Sequence, residues 1–248
     1  MGGLIGALAA LALVLVPAGA GAGGAKRPIV VELYTSQGCS SCPPADSLIG
    51  QLSTRKDVIA LSLPITYWDM LGWKDTLASD ANTRRQKAYS AQMGHGGVYT
   101  PQIVVDGAND VVGSRDQVVL AAIGARAADM QTIPVTLSAT QQEVHISVAG
   151  AWDKTPHDAT IWMFHILSKA TVSIRDGENA GRTLTYRNIV RDVRPIGVWK
   201  GQPVSLDLPR REMTRMPHDA VAVVVQQGGY GRVVGAALIE HPDYDYIP

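Results

Sequence analysis

Phenylalanine occurs once in these 248 residues, at Phe164, and cysteine only twice, at Cys39 and Cys42. Aromatic packing therefore falls to tryptophan and tyrosine, and one short-range cysteine pair is a poor framework for a fold. Closing so small a loop constrains the unfolded chain by about 2 kcal/mol, against about 4.7 kcal/mol for a loop near 100 residues. Excess charge is missing as well. The 22 basic residues meet 22 acidic ones, and nothing in that balance favours nucleic acid or an anionic membrane surface as a partner. A metal centre is disfavoured, because tetrahedral zinc needs two ligands beyond the cysteines and the six histidines contain no H-x(3–5)-H pair.

Met1 to Ala25 carries no charged or polar side chain. It opens with the apolar run from Leu4 to Val16 and continues with A-x-A sites at Ala18-Gly19-Ala20 and Ala20-Gly21-Ala22. The stretch reads as a secretory signal peptide that lacks the usual basic n-region. Leu4 to Ala22 is 19 residues, barely a bilayer span, so an uncleaved anchor stays open as the alternative. Either reading exports the rest of the chain, periplasmic or secreted, with a membrane as partner only if the leader is retained. An oxidising compartment makes a redox cysteine pair chemically sensible.

What is present is concentrated in Gly38-Cys39-Ser40-Ser41-Cys42-Pro43-Pro44, which follows the apolar, β-branched run Ile29 to Leu33. That run predicts a buried strand, and Tyr34 to Gly38 a loop. Pro43 and Pro44 suit the first turn of a helix, where a missing N–H loses no intrahelical bond, and the helix should run to Leu52 with Leu48, Ile49 and Leu52 on one face. A thiolate at a helix N-terminus is stabilised by the macrodipole and by unpaired N–H groups. C-x-x-C at such a junction therefore suits thiol–disulfide exchange, with Cys39 attacking and Cys42 resolving. A static surface disulfide is the bland alternative.

Val58 to Leu63 predicts a second strand ending at Pro64, and Ser79 to Met93 a helix covering one face of the sheet. Trp68 and Trp73, between them, either line a groove beside the cysteines or simply pack. Thr100-Pro101 leads into a strand over Gln102 to Val105, since proline can begin a strand but not sit inside a central one. Asp106-Gly107 signals a hairpin to Val111-Val112, and Ser114 with Gln117 a capping box opening a helix to about Met130. From Thr132 the texture changes to seven strand-like segments beginning near Val135, Val144, Thr160, Thr183, Val204, Ala220 and Val233. Val144, Ile146 and Val148 alternate with His145 and Ser147, so one face is buried and the histidines read as sheet residues. Between two of these segments lies Arg175-Asp176-Gly177-Glu178-Asn179-Ala180-Gly181-Arg182. Its glycines, and an asparagine able to bond its own backbone, fit a hairpin connection. The sharper alternative is that its charges reach the cysteine site and help select a partner.

Residues 26–131 thus read β-α-β-α-β-β-α, which with C-x-x-C and Thr100-Pro101 resembles the thioredoxin fold. That fold places a cis-proline facing the disulfide, so the resemblance implies partner binding at Thr100 and Pro101, with Trp68 and Trp73 beside them. Tyr99 to Gly107, followed by Gly113-Ser114-Arg115-Asp116, looks like the glutaredoxin branch, which makes glutathione a weak candidate ligand. Val31 to Asp46, Tyr67-Trp68-Asp69, Leu71 to Asp75, Tyr99 to Gln102 and Gly177 to Leu184 together resemble a bacterial family of exported domains of unknown function. The expected fold class is an α/β thioredoxin-like domain followed by an all-β sandwich-like domain over residues 132–248. The expected function is an exported thiol–disulfide oxidoreductase or redox-linked chaperone. It would use no cofactor, and its partners would be protein thiols or disulfides of the cell envelope. A non-catalytic envelope binding or assembly module is the rival, favoured by the large second module.

Overall fold

The computed structural model describes residues 26–128, 132–140, 142–150, 158–209 and 217–240, so the leader expected over Met1 to Ala25 lies outside the described residues. β1 (Ile29–Thr35) and β2 (Val58–Pro64) run parallel, joined through α1 (Pro43–Leu52). Both strands are buried throughout because each face is covered. Val30, Tyr34, Ile59 and Leu61 enter one core, and Ile29, Val31, Val58 and Ala60 enter another, following the two-residue period of a strand. Leu48, Ile49 and Leu52 of α1 press into the second core. α2 (Asp80–Gln92) begins at Ser79, whose hydroxyl accepts from the Asn82 N–H, and gives Tyr89 to the first core. β3 (Gln102–Val105) and β4 (Asn109–Val112) form an antiparallel hairpin on the far side of β1. α3 (Asp116–Ala128) adds Val119 and Ile123 to the second core. It starts two residues beyond Ser114, so that serine does not cap it.

The later strands are β5 (Val135–Ala139), β6 (Glu143–Val148), β7 (Ala159–Ser173), β8 (Thr183–Trp199), β9 (Val204–Pro209), β10 (Ala220–Gln227) and β11 (Val233–Glu240). Each begins at a strand-like segment of the sequence, with β7 and β8 running on past Leu167 and Val193, but they do not build a separate sandwich. The large sheet runs β11-β10-β7-β8-β2-β1-β3-β4, and only β5-β6-β9 form a second, three-stranded sheet. That small sheet packs Val144, Ile146 and Val148 of β6 on Ile161, Met163, Val221 and Val223 of the large one. The expectation of an α/β thioredoxin-like domain followed by an all-β sandwich-like domain is therefore corrected. The chain is mostly β, one eight-stranded mixed sheet plus a three-stranded one, with three α-helices among the described residues.

The physical reason lies at the seam between β2 and β8. An isolated β2 would end the sheet with a row of unpaired backbone groups, and β8 meets it in parallel with Ser62 opposite Ile189. Asn188 of β8 sits at φ 48° and donates Nδ2–H to the Ala60 carbonyl at 2.9 Å. Asn82 of α2 donates to the carbonyls of Pro64 and Val190, at 3.0 and 3.3 Å. Deeper in, Arg85 of α2 pairs with Glu32 of β1 at 2.5 Å and also donates to Gln226 Oε1 of β10 at 3.0 Å. Its guanidinium lies about 5 Å from the rings of Trp162 and Phe164. A buried ion pair this well bonded is tolerated only where every partner is fixed, and these partners come from both halves of the chain.

Candidate disulfide site

β1 ends at Thr35, and the chain then turns sharply into α1. The Gly38 N–H bonds Ser36 Oγ at 3.1 Å, the Cys39 N–H bonds the Ser36 carbonyl at 3.2 Å, and the Cys42 N–H bonds the Cys39 carbonyl at 3.2 Å. Cys39 and Cys42 form a disulfide with their Cα atoms 5.4 Å apart. Cys42 is the N-cap residue of α1, followed at once by Pro43. The sulfur pair therefore stands at the N-terminal end of α1, where Pro43 and Pro44 supply no N–H and the aligned peptide dipoles of the helix are what favour negative charge. Both cysteines are completely buried.

The register of β3 on β1 sets Gln102 opposite Tyr34, which brings Thr100-Pro101 to the edge where β1 delivers the cysteine turn. The Thr100–Pro101 peptide is cis. Trp68 links the two sides. Its indole N–H donates to Thr100 Oγ1 at 2.8 Å, and a side-chain carbon at Gly38 would lie a tight 3.3 Å from its Cβ, so Trp68 packs closely on the cysteine turn. Trp73 reaches the same turn from the other direction, donating to Gln37 Oε1 at 2.8 Å. All six residues singled out from the sequence, Cys39, Cys42, Thr100, Pro101, Trp68 and Trp73, are thus assembled around one turn.

Three elements that periodicity does not reveal complete the surroundings. Asp75 accepts the N–H groups of Gln37, Leu77 and Ala78, and burial pushes its carboxyl up to about 6 despite those bonds. Asp46, one turn into α1, is buried with neither carboxyl oxygen in a hydrogen bond of normal geometry to a described residue. Burial raises its pKa to about 7, the nearby Thr35 hydroxyl offsets part of that, and Asp75 adds to it. Third, the β7–β8 connection reaches back over more than a hundred residues. Asn179 donates Nδ2–H to the carbonyls of Gln37 and Cys39, both at 2.9 Å, and the Ser40 N–H donates to Glu178 Oε2 at 3.0 Å. The Ser40 hydroxyl first, and then this N–H, hold the Glu178 carboxyl below the usual carboxylate range. Among the described residues no group of three or more His, Cys, Asp or Glu side chains is placed to hold a metal ion. A cavity of about 960 Å³ is lined by Lys26, Arg55, Ile133 and Leu238, among others, and includes neither cysteine.

Residues 30–226 match the family described as protein of unknown function (DUF1223). The chain belongs to that family. A crystal structure of the Agrobacterium tumefaciens protein AGR_C_4864 is similar at 30% identity with a TM-score of 0.78, over 89% of this chain and 97% of that one. HBP35 of Porphyromonas gingivalis is similar at 12% identity with a TM-score of 0.63, over 89% of this chain and 77% of that one, which concerns the fold alone. Comparison with curated proteins yields no match.

In this DUF1223 chain the loop from Arg175 to Arg182 meets the contact part of its sharper sequence reading as well as the hairpin reading. It is a hairpin connection, and it also reaches the cysteine turn, with Asn179 spending its amide on distant carbonyls rather than on its own backbone. The signal was an N-A-G run flanked by charges, and nothing local told which backbone it would meet. Gln37 and Asp75 give no signal by spacing at all, because each acts through a bond to another loop.

Proposed function

We propose that this protein is an exported thiol–disulfide exchange protein working through Cys39 and Cys42. What carries the reading is the disulfide at the N-cap of α1 beside the Thr100-Pro101 edge, where a departing thiolate meets a helix N-terminus. A partner thiolate attacks Cys39, the Cys39–Cys42 bond breaks, and Cys42 leaves as a thiolate stabilised by the end of α1. In the reverse direction the Cys39 thiolate attacks a partner disulfide, and Cys42 then displaces the partner thiol from the mixed disulfide. Thr100 and Pro101 would hold the partner's chain, with Trp68 and Trp73 walling the approach. Protein thiols of the cell envelope are the proposed partners.

One observation favours the second reading, a non-catalytic binding or assembly module: both cysteines have no exposed surface in the oxidised form. Alkylation of the reduced protein across pH separates the two. Exchange predicts that Cys39 reacts with a thiol pKa below the ordinary value of about 8.5. A value at or above that, or a thiol inert to alkylation, favours the scaffold.

A further inference from the structure

The β7–β8 connection does more than close a hairpin. Its turns are internally bonded, with the Ala180 N–H on the Gly177 carbonyl at 3.1 Å and the Gly181 N–H on the Ile174 carbonyl at 2.9 Å. Arg182 donates to Asn179 Oδ1 at 2.8 Å, so the Asn179 amide is held by its own loop while its two protons are spent on Gln37 and Cys39. Asn179 is 1% exposed, whereas Glu178 and Ser40 stand in solvent.

Resting on the exchange reading above, we propose that this loop is a latch that reserves the disulfide for polypeptide thiols, with Asn179 as the specificity-determining residue. Asn179 makes the two donations to Gln37 and Cys39 that backbone amides of a bound polypeptide would make. Lifting it strips a donor from both carbonyls; that of Cys39 keeps the Cys42 N–H, whereas that of Gln37 has no other donor among the described residues, and a buried acceptor left without a partner resists opening. A polypeptide supplies N–H groups along its chain and restores both bonds as it docks. A small thiol without amide groups cannot, and meets the latch closed. Glu178 matters less, because water replaces it on the exposed Ser40 N–H. The chemistry balances without another reactant. One partner thiolate attacks Cys39 Sγ, and Cys42 leaves as a thiolate and takes a proton from water. A second partner thiolate attacks the partner's sulfur in the mixed disulfide and frees Cys39. Two thiols are oxidised to one disulfide as Cys39–Cys42 is reduced.

The test reacts the oxidised full chain with 2-mercaptoethanol and with a ten-residue peptide carrying one cysteine, at equal thiolate concentration, followed by acid quenching and mass analysis. The wild type should react with the peptide about tenfold faster or more. Asn179→Ala should raise the 2-mercaptoethanol rate about tenfold, equivalent to ~1.4 kcal/mol, and leave the peptide rate within about threefold. Arg182→Ala, at an exposed position, frees the Asn179 amide and should raise the 2-mercaptoethanol rate about threefold, which keeps the test intact if Asn179→Ala does not fold. Unchanged 2-mercaptoethanol rates in the folded variants, or a wild type indifferent to the thiol, would overturn the latch. These rates need no natural partner. Failure to capture a partner in the host, with the selectivity as stated, overturns exchange alone, and flat rates with successful capture overturn the latch alone.

Discussion

A carboxylic acid at position 46 is enclosed without a normal hydrogen bond, and burial lifts its pKa from 3.8 to about 7. The folded state therefore binds a proton more tightly than the unfolded one between those values. Stability from this group is greatest below pH 4 and falls as pH rises toward 7, by up to about 1.4 kcal/mol per unit. Asp75 faces it and works in the same direction, Tyr186 lies within its field, and Arg182 and Arg191 are the nearby cations. Asp46→Asn should remove most of the loss, so that its stability advantage in urea unfolding grows from pH 5 to pH 8. Parallel curves across that range would contradict the assignment. At this scale the sequence shows the cysteines and the strand start at Pro101 plainly, because their chemistry is local, whereas the cis bond is implied only by the fold resemblance. Arg85 is the counter-example: it stands in the polar run Arg84-Arg85-Gln86-Lys87, yet it is buried against Glu32. A charge in a polar run carries no mark of a partner 53 positions away.

Elements with local punctuation are the ones that can be read in advance. Pro43-Pro44 marks the start of α1, Ser79 the start of α2, and the alternation from Val144 to Val148 the buried face of β6. Pairing is different in kind. β2 joins β8 in parallel through one register pair, and the strengthening contact is Asn188 in a left-handed conformation, neither of which leaves a periodic trace. The two contributions of Asn188 can be separated. Asn188→Gly keeps the backbone conformation and loses only the bond to Ala60, which should cost about 1 kcal/mol. Asn188→Ala also forces a positive φ on a residue that resists it, and should cost about 2 kcal/mol or more. Equal urea midpoints for the two variants would show that the backbone conformation contributes nothing.

Across the whole molecule, the change of texture near Thr132 is real in the sequence but does not mark an end of the sheet. Composition reports how each segment is solvated, whereas the continuation of the sheet depends on which edge is left open. Here the open edge is β2, and β8 closes it, while Arg27 donates to Asp106 at 2.8 Å and to the Val233 carbonyl at 2.6 Å, joining both ends of the chain. A fragment of residues 26–131 lacks β8, β10 and the Trp162 and Phe164 rings beside Arg85. It should show no cooperative urea transition, whereas a chain of residues 26–248 should unfold in one. A sharp transition in the fragment would restore an independent first module.

The most direct measurement of the central claim is a capture experiment with Cys42→Ser expressed in the host and quenched in acid. Exchange chemistry predicts covalent adducts with other proteins that dissociate on reduction and vanish when Cys39 is also replaced by serine. A Cys42→Ser chain recovered wholly as free monomer, with Cys39 reduced and unmodified, would contradict it.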